Sequence, residues 1–137
     1  MKMTENVFPV LYILMRNDLN SMNPGKGMAQ ASHASNAFVK HVTTGDPENP
    51  LAFKWFGETP QGFGTVLVLS VNEAQMDAAV HVAKVYGFVA GVVHDPTYPV
   101  SDGAIVHHLP INTCGYIFGD KNDIMIQNIV GNFALHL

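Results

Sequence analysis

Lys26, Gln30, His33, Ala37 and Lys40 follow spacings of four, three, four and three, which places them along one face of a helix. That helix opens on Pro24-Gly25-Lys26-Gly27. Free amides after Pro24-Gly25 and the positive end of the helix dipole favour an anion at this point. Lys26 adds a full charge, and Gly25 and Gly27 let a ligand approach the backbone. Gly-Lys-Gly is not a phosphate-loop pattern, so the same residues also fit a glycine-rich helix start with a solvated lysine. Asp95 closes an expected strand, where ligands gather in open α/β sheets, although aspartate before proline is equally a routine turn residue.

Other chemistries find less support. His107 and His108 are neighbours in an extended segment and point to opposite sides, and no third ligand stands at a recognisable spacing, so neither a metal nor another cofactor is expected. No Gly-x-Ser-x-Gly elbow is present, and Cys114 lies in an apolar run that suits a core thiol. Hydrolysis, if the chain performs it, is expected to use water. Trp55 fits a core anchor better than a platform for stacking a base.

The elements that must position these residues can be read from hydrophobic patterning. Val7 to Met15 is nearly continuous in apolar residues, as a strand covered on both faces requires, with Pro9 near its start. In the helix that follows, Met28, Ala31, Ala34, Ser35, Phe38 and Val42 recur at helical spacing and are expected to face a sheet. Leu51 to Phe56 is expected as a short helix after the Asp46 to Pro50 break, and Phe63 to Val71 as a second buried strand. Asn72 suits the N-cap of a helix over Glu73 to Tyr86 with Met76, Ala79, Val80 and Ala83 inward, and Gly87 suits its stop. Phe88 to His94 reads as a third strand. Thr97 to Asn112 reads mostly as loop, with a Ser101-Asp102-Gly103 turn. Thr113 to Phe118 reads as a fourth strand, before a last helix capped by Asp120 or Asn122 and packing Ile126, Ile129, Val130 and Phe133. The order βα(α)βαββα implies an α/β fold of three layers, α/β/α, around a small mixed four-stranded sheet.

With 137 residues and 47% hydrophobic content, the chain fits one domain, 1–137, and its 13% of charged residues excludes a disordered or charged linker protein. Net charge is −4, without the basic excess that marks a nucleic-acid binder. Residues 1–54 hold five basic and four acidic side chains, against two and seven in the remainder, so a polyanion is expected to meet the amino-terminal half. A single cysteine permits no disulfide within the chain, and Val7 to Met15 is far too short for a membrane span, so a cytoplasmic location with no membrane partner is expected.

Met15-Arg16-Asn17-Asp18-Leu19 followed by Gly25-Lys26-Gly27-Met28-Ala29-Gln30-Ala31-Ser32-His33-Ala34 resembles the opening of the second type of peptidyl-tRNA hydrolase. In that family a lysine precedes an Ala-Gln-x-x-His-Ala helix. The likeness extends more loosely through Trp55, Val66-Leu67-Val68-Leu69, Asp95 and Thr113-Cys114-Gly115. The resemblance implies hydrolysis of the ester joining peptide to tRNA. It also implies Lys26, Asp95 and Thr113 as the catalytic set, with Thr113 bonding to the ester region. Gly25, Gly27, Gln30, His33 and Lys40 become the candidate substrate-binding residues, and the acceptor end of tRNA the expected partner. Whether the chain forms a homodimer is left open.

The chain departs from the family pattern in two places. Pro96 to Asn112 replaces a shorter loop whose threonine would fall near Pro99, and Pro24 stands near the place of a second lysine. A noncatalytic tRNA- or nucleotide-binding module of the same fold is therefore the alternative, and it is favoured by the low content of lysine and arginine.

Overall fold

Every residue of the first strand, β1 (Pro9–Arg16), is buried, because the strand runs through the middle of a sheet covered on both faces. Val10, Tyr12 and Leu14 enter one core, and Leu11, Ile13 and Met15 the other. This period-two alternation without a wet face explains the near-continuous apolar run. The computed structural model describes residues 6–136.

After β1 come α1 (Pro24–Gly45), α2 (Pro50–Phe56), β2 (Thr65–Val71), α3 (Glu73–Val85), β3 (Val89–Asp102), β4 (Ile105–Asp120) and α4 (Ile124–Val130). The sheet order is β2-β1-β4-β3, with β1 and β2 parallel and both other pairings antiparallel. Helices α1 and α2 cover one face through Ala34, Phe38, Val42, Ala52 and Trp55. Helices α3 and α4 cover the other through Met76, Ala79, Val80, Ala83, Ile126 and Val130. The result is the expected α/β/α layering around a mixed four-stranded sheet. Trp55 is a core residue, packed edge-on to Phe38 at 5.3 Å between ring centroids, with its Nε1 donating to the Thr65 carbonyl at 2.8 Å.

Local signals place most elements. Asn72 caps α3 in a reciprocal box, accepting from the Gln75 amide while the Gln75 side chain accepts from the Asn72 amide. Gly87 follows that helix with φ of +83°, a conformation glycine adopts without strain. The last helix is capped by Asp123, which accepts from the Met125 amide, and not by Asp120 or Asn122. Asp120 instead accepts from the amides of Phe8 and Asn122. Phe133 lies beyond the end of α4 but still packs on the core.

The largest difference from expectation is the segment Thr97 to Asn112. It is not loop: β3 and β4 continue through it as a two-stranded ribbon that turns at Gly103-Ala104. Glycine at the first turn position with φ of +61°, and no positive φ at Ala104, is the pattern of a type II′ hairpin turn. The ribbon tolerates Pro96, Pro99 and Pro110 because its strands extend past the end of β1, so each has a side that needs no ladder partner. In α1, Met28 is 69% exposed and not inward, whereas Gln30 is 3% exposed.

Candidate active site

The start of α1 is closed by its own cap. Asn23 accepts from the Lys26 amide through its side chain at 2.9 Å and from the Gly27 amide through its carbonyl at 2.8 Å, while Pro24 has no N–H. One of the free amides of the first turn, that of Lys26, is thus already occupied. The Lys26 side chain turns toward the ribbon, where Nζ donates to the carbonyls of Pro99 at 2.8 Å and Ser21 at 3.1 Å. It also lies 5.3 Å from the centroid of the Tyr98 ring. An ammonium has three N–H groups, so one remains uncommitted among these contacts.

One helical turn further on, Gln30 links two strands. Its Nε2 donates to Asp95 Oδ2 at 2.7 Å, and its Oε1 accepts from Thr113 Oγ1 at 2.6 Å. The carboxylate can only accept, which fixes the amide orientation and makes the Thr113 hydroxyl the donor to Gln30. Asp95 Oδ1 accepts from the Thr97 amide at 2.9 Å and from the Thr97 hydroxyl at 3.3 Å. Desolvation pushes the Asp95 carboxyl up, but the bonds from Gln30 and Thr97, with the nearby His33, outweigh it and hold the group below its ordinary value.

Two register irregularities flank this carboxylate. Between Val93 and His94 the partner residue steps from Cys114 to Asn112, leaving Thr113 as an extra residue in β4. Between Asp95 and Tyr98 the extra residue is in β3. Such bulges re-aim side chains. Here the first one lets Thr113 and Cys114, neighbours in one strand, both reach Gln30: Thr113 meets its side chain, and Cys114 Sγ approaches its carbonyl at 3.4 Å. Thr113 is 0% exposed, so it supports Gln30 from below and is not placed to touch an ester directly. Burial pushes the Cys114 thiol up to about 12, which leaves it a neutral core group.

Lys26, Gln30, Asp95 and Thr113 are therefore brought together around the first turns of α1, although Lys26 and Asp95 form no ion pair with each other among the described residues. His33 is exposed one turn beyond Gln30. Lys40 is exposed about 21 Å from Lys26 along the helix, too far to share its ligand contacts. Gly25 is exposed at the helix start, and Gly27 has open space where a Cβ would stand. An apolar cavity of about 280 Å³ opens on the flank of α1 bearing Gly27 and Ala31, and Asp95 does not line it. His107 and His108 take separate partners, His107 lying 3.6 Å from Asp102 and His108 Nδ1 donating to the Thr97 carbonyl. Among the described residues no group of three or more potential ligands gathers for a metal.

Two further groups shape the site. Arg16, at the end of β1, bonds to Asp18 at 2.8 Å, to Glu73 at 3.0 Å and to the Asn112 carbonyl at 3.0 Å. The hydrogen bond to Asp18 raises the guanidinium further and, from the other side, holds the Asp18 carboxyl below its usual value. Arg16 is thus a strut at the base of the ribbon and not a free cation for phosphate. Tyr98 is the second, fully buried with its hydroxyl accepting from Ser21 Oγ at 3.1 Å. Its only signal in the sequence is an aromatic residue inside a proline-rich polar stretch, which patterning alone does not distinguish from a surface tyrosine.

The family model of Peptidyl-tRNA hydrolase PTH2 matches residues 9–135, nearly the whole chain. No curated protein matches it. Among the described residues no helix is long and apolar enough to cross a membrane.

Proposed function

The chain belongs to the peptidyl-tRNA hydrolase PTH2 family, whose activity is hydrolysis of peptidyl-tRNA, and from that membership we propose a water-mediated, metal-independent mechanism centred on Lys26 and Asp95. The observation that carries it is the chain of bonds Thr113–Gln30–Asp95 beside Lys26. A carboxylate has about four acceptor positions, and three on Asp95 are taken by Gln30 and Thr97, which leaves one on Oδ2 for a water. Because its carboxyl is held low, Asp95 is a weak base. Its part is to orient the water and stabilise the positive charge that develops as the water attacks. Lys26 presents its remaining N–H to the ester carbonyl oxygen or to the terminal phosphate, where negative charge develops or already stands.

Attack forms the bond from water oxygen to the ester carbon, and the bond to the ribose oxygen breaks. One proton of the water passes to the leaving ribose oxygen and the other is released to solvent, giving tRNA and a peptide carboxylate. Thr113 holds Gln30, and Gln30 holds Asp95. All four groups belong to one chain, so this site is complete in a monomer as well as in a homodimer. Residues 1–137 act as one hydrolase domain, and because the substrate is a product of translation we place the protein in the cytoplasm.

The test is release of N-acetylated amino acid from tRNA by the purified protein, with free aminoacyl-tRNA as the comparison. Lys26→Ala and Asp95→Asn should each lower kcat by about a hundredfold or more in protein that remains folded, since they remove charge and hydrogen bonds at the site and leave the core packing intact. Activity lost to a chelator and restored by one metal refutes metal independence. Tight binding of peptidyl-tRNA without release selects the noncatalytic module instead.

A further inference from the structure

Tyr98 has no exposed surface, although residues 101–110 of the same ribbon are all exposed. Three contacts hold it. Ser21 Oγ donates to its hydroxyl at 3.1 Å, the hydroxyl approaches Met22 Sδ at 3.7 Å, and its ring lies 5.3 Å from Lys26 Nζ. The two carbonyls that accept from Lys26 belong to Ser21, which Tyr98 touches, and to Pro99, its chain neighbour. The Tyr98 ring is thus one wall of the cradle around the ammonium and adjoins the other two.

A lysine ordinarily carries its charge on a flexible four-carbon stem with three rotatable donors. Here two donors have fixed partners and an aromatic face lies near the ammonium, so the direction of the third is set before substrate arrives. A donor ordered in advance stabilises developing charge without reorganising at the moment of reaction. We propose that Tyr98 is a positioning residue that aims the uncommitted N–H of Lys26 at the anionic oxygen of the substrate, and that the ribbon exists in part to deliver it. This rests on the assignment of Lys26 as the group that meets substrate.

The experiment compares the parent with Tyr98→Leu, Tyr98→Phe and Lys26→Ala, using release of N-acetylated amino acid from tRNA and the rate at which acetic anhydride modifies Lys26, read by mass spectrometry. Tyr98→Leu should lower kcat about tenfold with KM held within about twofold, and should speed Lys26 acetylation severalfold. Tyr98→Phe keeps the ring and should retain kcat within about threefold. If Tyr98→Leu does not fold, the double variant Tyr98→Phe/Ser21→Ala loosens the same cradle and should lower kcat at least about threefold below Tyr98→Phe alone, with faster Lys26 acetylation. A buried residue that merely supports the fold would lower the unfolding midpoint and leave kcat of the folded fraction and Lys26 acetylation unchanged. That result, with Lys26→Ala inactive, overturns the role of Tyr98 alone. Full activity in Lys26→Ala overturns the assignment of Lys26 and this inference together.

Discussion

Replacing Gln30 by leucine should both destabilise the protein and disconnect the two strands that frame the site. The substitution conserves much of the volume but removes the donor to Asp95 and the acceptor for Thr113. A hydrogen bond to a charged group contributes about 1.5–3 kcal/mol, and leaving a buried hydroxyl without a partner costs about 1–3 kcal/mol. Asp95 keeps its bonds to Thr97, and the Thr113 hydroxyl can turn toward Cys114 Sγ, 3.8 Å away, so the upper ends of both ranges are not reached. A loss of about 3 kcal/mol is expected in urea unfolding at neutral pH, with an unchanged dependence on urea. Thr113→Val alone should cost about 1–2 kcal/mol by orphaning Gln30 Oε1. In the double variant both partners are apolar, so the combined loss should fall short of the sum by at least about 1 kcal/mol. Additivity within about 0.5 kcal/mol would refute the relay.

Acid should expose the same carboxylate. Asp95 and Asp18 are both held below their ordinary values in the folded chain, so their stabilising contribution is complete above the unfolded carboxylate range and is lost as pH falls through the folded values. Urea midpoints measured downward from pH 6 should therefore fall in that range, and the fall should be shallower in Asp95→Asn. At Gly64, a Cβ would stand 2.6 Å from Trp55 Cδ1, so Gly64→Ala should cost about 1–3 kcal/mol in thermal unfolding. Gly27→Ala meets nothing within 4 Å and should instead stabilise by about 0.5–1 kcal/mol. A raised KM in that stabilised variant would mark Gly27 as a place of close substrate approach. If tRNA lies along α1, Lys40→Ala should reduce the salt dependence of binding by about one unit of slope, while Lys121→Ala should leave it unchanged.

What the chain declares locally is considerable. The unbroken apolar run of β1 predicts a central strand, Asn72 with Gln75 predicts the start of α3, and the small residues of α1 predict a helix close to a sheet. Lys26 stands at a helix start that the pattern marks, whereas Asp95 and Thr113 lie within β3 and β4, and Thr113 is singled out in the sequence only through the family resemblance. The ribbon is not legible in the sequence. Its prolines and turn residues describe a loop equally well, and the difference lies in strands β3 and β4 pairing with each other beyond the last residue of β1. Nor does helical spacing reveal that Gln30 is buried, since Lys26 and His33 on the same stripe remain accessible. That outcome depends on the bulge at Thr113, which moves a hydroxyl and a thiol from neighbouring positions to one side of β4. Hydrophobic periodicity is a property of each segment alone and so can be read along the chain. Register shifts, and the polar bonds they permit, arise only when two distant segments pair, and for that reason the tertiary structure alone decided how Asp95 is held and where Lys26 points.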